Sequence, residues 1–340
     1  MKTTIRLYIF LAAIFLSTGM KAQTEQPLPG NPKNFVLPEI KTFKLDNGLS
    51  VTLVPYGQLP KVTVNLIIRA GNLNEGEDEL LLADLMASLM KEGTTSLSGQ
   101  EIAERSASMG GVINISVNPE TTSISADVLS ESGLALIDLM SDIVMNPVFP
   151  SSEIGRLKND LKRDINLRKS QPENLAFELF RKVLYPGHPF GRMFPDDDDI
   201  DSYTIEKIKA FFNDNYGARR AHIYVAGKFD ESEVEKSIRK SFGSWKDGPE
   251  ILINVPEPLK THKVYIIDRP GAPQSVLNIG LPVISPSDKD YIALSVTNSL
   301  LGGSFISRIT KNIRENKGYS YSPRSSVSSR YHDAYWMQHA

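Results

Sequence analysis

The chain has 340 residues, of which 41% are hydrophobic and 23% are charged, so it is long enough for more than one folded domain and is not a disordered chain. Its 38 Lys and Arg residues nearly balance 40 Asp and Glu residues, and the net charge of -2 provides no global basic field for nucleic acid or an anionic membrane. The absence of cysteine excludes disulfides, thiolate metal sites and cysteine nucleophiles.

The N-terminal segment has the layout of a secretory signal peptide. Lys2 and Arg6 precede an apolar run over residues 7–16. This run is too short to span a membrane, which takes about 20 residues. We expect residues 1–23 to be removed on export, and a buried helix is the alternative interpretation. Residues 24–40 are polar and rich in proline, which predicts an extended linker.

The next part of the chain shows strand and helix patterns in clusters and not in strict alternation. Asp46-Asn47-Gly48 between two β-rich runs predicts a hairpin. Ser98 and Glu101 form a capping-box pattern that predicts a helix start, and Gly110-Gly111 predicts its end. Further strands are predicted at 61–71, 112–118, 122–130 and 221–227, and further helices at 77–91, 133–145, 151–169, 174–184, 203–215 and 232–242.

A proline-rich stretch at 249–261 predicts an interdomain linker between a first domain at 41–248 and a second at 262–340. The order of elements then restarts. Strands are predicted at 262–268 and 275–281, helices at 289–301 and 306–316, and a strand rich in Ser and Tyr after them. This repeat indicates a divergent duplication whose second copy is incomplete at residue 340. The expected fold class is α+β, with duplicated domains that each have an antiparallel sheet covered by helices.

Several stretches resemble the pitrilysin/insulinase-like zinc metallopeptidases, which include the mitochondrial processing peptidase subunits. They are LDNGLSVTLVP, KEGTTSLSGQEIAERSASMGGVIN, YPGHPFGR and LLGGSFISRITKNIRENKGYSYS. The resemblance covers nearly all of residues 43–335. It implies two-layer domains that pair into a half-shell, with two half-shells clasping a peptide.

Active members of that family carry His-x-x-Glu-His about ten residues before a Gly-Thr, where two histidines one helical turn apart bind zinc and the Glu activates water. Counting back from the Gly-Thr at 93–94 places Asp84, Ala87 and Ser88 at these positions. The third ligand position falls near Arg163 and Asp164. The five histidines of the chain include no pair at i, i+4 spacing. We therefore expect no zinc site in this chain.

The resemblance also points to Arg314 and Tyr321, which have the spacing of an Arg/Tyr pair that faces the zinc site and polarises the scissile peptide. An Arg fork binds carbonyl oxygens, and a Tyr hydroxyl can donate to an oxyanion. Tyr319 is an alternative to Tyr321. On spacing alone, an exposed Arg at a helix end and a packed strand Tyr are the favoured interpretation. The position of the pair after LLGGSFISRITKNI, as in the family, favours the functional one.

Three further features have structural interpretations. The resemblance implies that Gly302, Gly303, Ser304 and Phe305 face the peptide chamber, although helix termination explains the two glycines equally well. The acidic run at 196–201 lacks the spaced ligands of a calcium loop and predicts a solvated loop. His188 is interpreted as a turn residue.

These observations favour a non-zinc subunit of a two-chain metallopeptidase. The chain would supply Arg314, Tyr321 and a peptide-binding surface, with no cofactor of its own, and a homologous partner would hold the zinc. The predicted signal peptide and the absence of a membrane span favour a location of the protein in the bacterial periplasm, with secretion as a second possibility. The alternative is an inert binding or scaffold protein with the peptidase fold. A self-sufficient metallopeptidase would need ligands that the sequence lacks.

The predicted signal peptide has a direct test. Export should remove the apolar run at 7–16 and leave a mature N-terminus near Gln23. N-terminal sequencing of the protein from the native cell envelope measures this, and a mature protein that still begins at Met1 would contradict it.

Overall fold

The computed structural model describes residues 30, 31, 34, 36, 38–259 and 261–340. The predicted signal peptide and most of the predicted linker at 24–40 lie outside the described residues. No helix in the described part of the chain combines the length and apolar character needed to cross a bilayer.

The first sheet has six strands and a mainly antiparallel arrangement. They are β1 (Lys41–Lys44), β2 (Ser50–Pro55), β3 (Lys61–Ile68), β4 (Asn114–Val117), β5 (Thr122–Leu129) and β6 (Ala221–Gly227). Their order across the sheet is β1-β2-β6-β3-β5-β4, and only the β2–β6 pair is parallel. β6, the last of these strands in sequence, therefore lies between the early strands β2 and β3, near the centre of the sheet.

Eight helices accompany this sheet. They are α1 (Leu82–Leu89), α2 (Gly99–Ser108), α3 (Gly133–Met145), α4 (Ser151–Lys169), α5 (Pro172–Leu184), α6 (Asp197–Ser202), α7 (Ile205–Asn215) and α8 (Glu231–Phe242). The apolar face of β3 is fully buried in the main core, as at Val64 and Leu66. The opposite face is polar, and Ser123 there donates a hydrogen bond to Asn65 at 2.7 Å. We call this sheet and its helices the first lobe.

The second lobe follows a stretch without helix or strand among the described residues of 246–277. It contains β7 (Asn278–Val283), α9 (Tyr291–Asn298), two π-helical segments (Ser299–Gly303 and Thr310–Asn316), β8 (Arg324–Val327) and β9 (Ala334–His339). Its antiparallel order, β7-β9-β8, repeats that of β3-β5-β4. The predicted α+β class with helix-covered sheets is confirmed, and the predicted restart of element order is visible.

The local signals with the clearest chemistry are confirmed. The hairpin of β1 and β2 turns at Gly48, whose φ of +90° suits glycine, and the Asn47 side chain donates to the Phe242 carbonyl at 2.8 Å. Ser98 caps α2 and accepts from the Glu101 N–H, while the Glu101 carboxylate accepts from the Ser98 N–H at 2.8 Å. The turn at the start of the first sheet is thus tied to the end of α8.

Three predictions of local structure were wrong. The helix predicted at 77–91 begins only at Leu82, because Leu81 has a left-handed φ of 67°. The predicted acidic loop contains helix α6, since Asp196 and Asp199 form a capping box. The strand predicted at 262–268 does not form. Val264 and Ile266 are 89% and 85% exposed, and no described strand pairs with this segment. A β-rich sequence needs a neighbouring strand before it can be a strand.

A cluster built around a buried ion pair of the second lobe connects the two lobes. Arg330 lies 3.5 Å from Asp333, both side chains are nearly buried, and the Tyr185 hydroxyl donates to the same carboxylate. The Arg330 guanidinium stacks 3.8 Å from the centroid of the Phe190 ring. Tyr185 and Phe190 follow α5 in the first lobe, so this cluster connects α5 to the strand region of the second.

Asp333→Asn should therefore destabilise the protein strongly. It leaves the buried Arg330 without its countercharge, which typically costs about 3–5 kcal/mol. The matched control is Asp160→Asn, because Asp160 pairs with Arg163 on the exposed face of α4 and such pairs contribute about 0–1 kcal/mol. Urea unfolding followed by circular dichroism gives both values, and equal losses would contradict a structural role for the junction.

Candidate functional site

The three positions of the zinc motif lie on α1, and none of them has a metal-binding arrangement. Asp84 accepts a hydrogen bond from the Asn72 amide at 2.8 Å. Ser88 donates to the backbone carbonyl of Asp84 at 3.0 Å, and Ala87 is buried. Asp84 is the only carboxylate among them, and it already accepts a hydrogen bond from a neutral amide.

Glu75 organises this region and was missed by the sequence analysis. It is 6% exposed, and its carboxyl accepts from the backbone N–H groups of Leu81 and Ala83 at 3.1 and 3.0 Å. The Asn72 amide donates to Glu75 at 3.0 Å as well as to Asp84, so it bridges the two acids. Glu75 therefore supplies the hydrogen-bond acceptors for N–H groups at the start of α1, although it lies six residues before Leu81, the residue with the left-handed φ.

Burial controls the ionisation of both acids. It raises the pKa of Glu75 to about 8, although the hydrogen bonds from Asn72 and the backbone favour the charged form. Burial also raises the pKa of Asp84, against the opposing effects of the Asn72 hydrogen bond and the positive charge of Arg168. Both acids therefore favour the protonated form more than an exposed carboxyl does.

The third ligand position adds no donor. Arg163 and Asp164 are exposed on α4, and Arg163 pairs with Asp160 at 3.0 Å. The residue of α4 that is buried in the core is Ile165. In the part of the chain that the structure describes, no group of three or more His, Cys, Asp or Glu residues could hold a metal ion.

The predicted Arg/Tyr pair is in contact in the second lobe. The guanidinium carbon of Arg314 lies 4.2 Å from the centroid of the Tyr321 ring and 4.7 Å from that of Phe305. Stacking on two aromatic faces restricts the guanidinium while leaving its edge N–H groups available. Tyr321 is 78% exposed, and it lies before β8 and not in a strand. Its hydroxyl is therefore open to a ligand.

The two glycines beside this pair lie in closely packed backbone, with Gly302 buried and Gly303 exposed. A Cβ on Gly302 would lie 2.3 Å from the Ser325 hydroxyl, and one on Gly303 would lie 2.8 Å from the Asn298 amide. Gly302 thus lets the π-helical segment approach β8 closely, and Gly303 lies against the end of α9. Ser304 and Phe305 follow on the exposed surface, so of the four predicted substrate-binding residues these two are the accessible side chains.

The two sets of predicted site residues remain separate. No hydrogen bond, ion pair or stacking contact among the described residues joins Asp84 or Ser88 to Arg314 or Tyr321. His188 is a turn residue, as predicted, because its Nδ1 accepts from the Phe190 N–H at 3.1 Å. The cluster of Arg314, Phe305 and Tyr321 thus lies apart from the acid network of Asn72, Glu75 and Asp84.

Comparison with known proteins assigns the family. Residues 52–196 match the family model described as Insulinase (Peptidase family M16), and residues 202–338 match the one described as Peptidase M16 inactive domain. The chain belongs to the insulinase family. It is 26% identical over 298 residues to an uncharacterized zinc protease of Bacillus subtilis, across 87% of this chain and 71% of that protein.

Solved structures support the same fold. A peptidase M16 inactive domain from Pseudomonas fluorescens matches with a TM-score of 0.79 and 24% identity, over 88% of this chain and 73% of that one. A protease from Helicobacter pylori matches with a TM-score of 0.83 and 21% identity, over 90% and 75%. The insulinase-family chain described here therefore keeps the family fold and lacks the family's zinc motif.

The buried carboxyl of Glu75 predicts a pH dependence of stability. A raised pKa means that the folded protein holds a proton that the unfolded chain has released. The stabilisation is therefore present below about pH 4.5 and is lost as the pH rises towards about 8. Glu75→Gln removes this titration, so the difference in unfolding free energy between wild type and variant should change by about 5 kcal/mol across that range.

The control for this experiment is Glu77→Gln, the same substitution at an exposed position two residues away. Glu75→Gln also loses one acceptor for the backbone N–H groups, at a constant cost of about 1 kcal/mol. The relevant measurement is therefore how the difference in unfolding free energy between wild type and Glu75→Gln changes with pH. Urea unfolding at a series of pH values provides it, and parallel curves for wild type and Glu75→Gln would contradict the assignment.

Proposed function

We propose that this chain is the non-zinc subunit of an exported, two-chain metallopeptidase. It would supply Arg314, Tyr321 and the surface at Ser304 and Phe305 to a zinc-bearing homologue, with which it hydrolyses peptides. The observation that carries the proposal is the contact between Arg314 and Tyr321. This pair, with a half-buried Arg314 and an exposed Tyr321, is kept in a chain whose zinc positions are occupied by Asp84 and two residues without ligand chemistry.

The chemistry of the pair suits peptide hydrolysis. The partner's zinc would activate the attacking water. As water adds to the peptide carbonyl, negative charge develops on the carbonyl oxygen. The Tyr321 hydroxyl can donate to that oxygen, and the Arg314 fork can hold the neighbouring backbone carbonyl. Donors that are already positioned stabilise the developing charge more than the neutral substrate, which lowers the barrier.

The proposal includes location and organisation. The signal-peptide pattern at 1–23 supports export to the periplasm. The two lobes, which meet at the predicted linker over 249–261, would together form one half-shell of the chamber. Family membership supports pairing with a homologous half-shell. A permanent pairing of this kind buries about 2,000 Å² or more.

An inert scaffold is the second candidate. The closed network of Glu75, Asn72 and Asp84 favours it, because the former zinc face is hydrogen-bonded internally and needs no ligand. A scaffold has no chemical use for Tyr321, so the two candidates differ in what happens when its hydroxyl is removed.

Tyr321→Phe should lower kcat of the reconstituted complex by about 10²–10³ with little change in KM, because one oxyanion donor is lost in the transition state. Arg314→Ala should lower kcat and raise KM. The matched control is Tyr319→Phe, which removes the hydroxyl of another exposed tyrosine two residues away and should leave turnover near wild type.

The assay is hydrolysis of a quenched fluorescent peptide by the chain combined with the zinc-bearing homologue. Size-exclusion chromatography checks that each complex forms. Intact complexes with wild-type turnover for both Tyr321→Phe and Arg314→Ala would contradict the proposal and favour the scaffold.

A further inference from the structure

The surface around Arg314 carries positive charge without matching acids. Residues 305–321 contain Arg308, Lys311, Arg314 and Lys317, and only one acid, Glu315. Arg308, Lys311 and Lys317 are exposed, and none of these cations forms an ion pair within the described residues. The chain as a whole has a net charge of -2, so this segment is locally opposite in sign to the rest of the protein.

The first lobe has both paired and unpaired exposed cations. Lys41 pairs with Glu235 at 2.8 Å, whereas Lys44 forms no ion pair among the described residues. In residues 305–321 none of the four cations is paired within the described part of the chain, and Lys317 lies 5.8 Å from the centroid of the Tyr319 ring.

The same segment exposes large apolar side chains. Phe305, Ile306, Tyr319 and Tyr321 are each at least 65% exposed, and they lie among the unpaired cations. Exposed aromatic and Arg groups are the residue types that dominate binding energy at protein interfaces. A surface that combines them with unpaired positive charge is complementary to a chain that carries negative charge and apolar groups in close sequence.

We infer that the peptide bound at this surface is acidic, with Asp or Glu side chains close to apolar or aromatic residues. The inference rests on the proposed function for the location of substrate. Charge complementarity would attract such a peptide and orient it along residues 305–321. Its apolar side chains would pack beside Phe305 and Tyr321, and its carboxylates would meet Lys311 and Lys317.

A single-stranded nucleic acid is the competing ligand class, since bases stack on aromatic rings and phosphates bind cations. The peptide is favoured because the faces of Phe305 and Tyr321 that meet Arg314 are already occupied by its guanidinium. The acidic character of the remaining chain also opposes a long polyanion that would extend beyond this segment.

The test is peptide binding to the full chain without its partner, measured by fluorescence anisotropy at low salt. Three labelled peptides of equal length and equal aromatic content carry Glu, Gln or Lys at the same positions. The Glu peptide should bind about tenfold more tightly than the Lys peptide, and added salt should reduce the difference.

Charge reversal locates the binding surface. The double variant Lys311→Glu/Lys317→Glu should weaken binding of the Glu peptide by about tenfold. The control, Lys44→Glu/Lys228→Glu, changes the net charge by the same amount at exposed first-lobe positions and should leave binding near wild type. None of the four lysines belongs to the proposed catalytic pair.

Equal affinity for the three peptides, or equal losses in the two double variants, would overturn the inference. A single-stranded oligonucleotide that binds more tightly than the Glu peptide and loses affinity in Lys311→Glu/Lys317→Glu would overturn it in favour of nucleic acid. Failure of the proposed function is a separate result, because it is measured as turnover of the complex in Arg314 and Tyr321 variants.

Discussion

The buried carboxyl of Glu75 fixes the start of helix α1, and the character of the whole former zinc face depends on it. Its two oxygens accept the backbone N–H groups of Leu81 and Ala83, and the Asn72 amide extends the network to Asp84. In a metallopeptidase, the same face of the helix would present imidazoles to a cation. Here the polar groups satisfy one another, so the helix is held in place without a metal.

This network separates the structural role of the fold from its chemistry. The first lobe keeps the sheet, the core and helix α1, and α1 carries the positions where the family has its zinc ligands. The second lobe keeps a half-buried Arg314 between Phe305 and Tyr321. Its Arg330–Asp333 pair contacts Tyr185 and Phe190, which follow α5. In the proposed two-chain peptidase, this chain would contribute Arg314 and Tyr321 to a site whose metal lies in the other subunit.

Sequence patterns predicted the parts of the fold that depend on neighbours in sequence. The hairpin at Gly48 and the capping box of Ser98 and Glu101 form because each carries its own hydrogen-bonding partner within a few residues. The strand predicted at 262–268 failed for the opposite reason, since alternation of apolar residues predicts a strand only where another strand can pair with it.

The same distinction applies to the site. Asp84, Ala87 and Ser88 were placed by resemblance, and the contact of Arg314 with Tyr321 follows their predicted spacing. Glu75 could not be found in this way, because its role is set by the left-handed turn at Leu81. The hydrogen bond from Tyr185 to Asp333 spans 148 positions in sequence, and no local pattern reports it.

The central claim is that hydrogen bonding has replaced metal binding on α1. The most direct measurement is the zinc content of the purified chain after equilibration with zinc and removal of the excess, determined by elemental analysis. The account predicts far less than one zinc per chain, because Asp84 alone cannot hold zinc tightly. About one tightly held zinc per chain would contradict it.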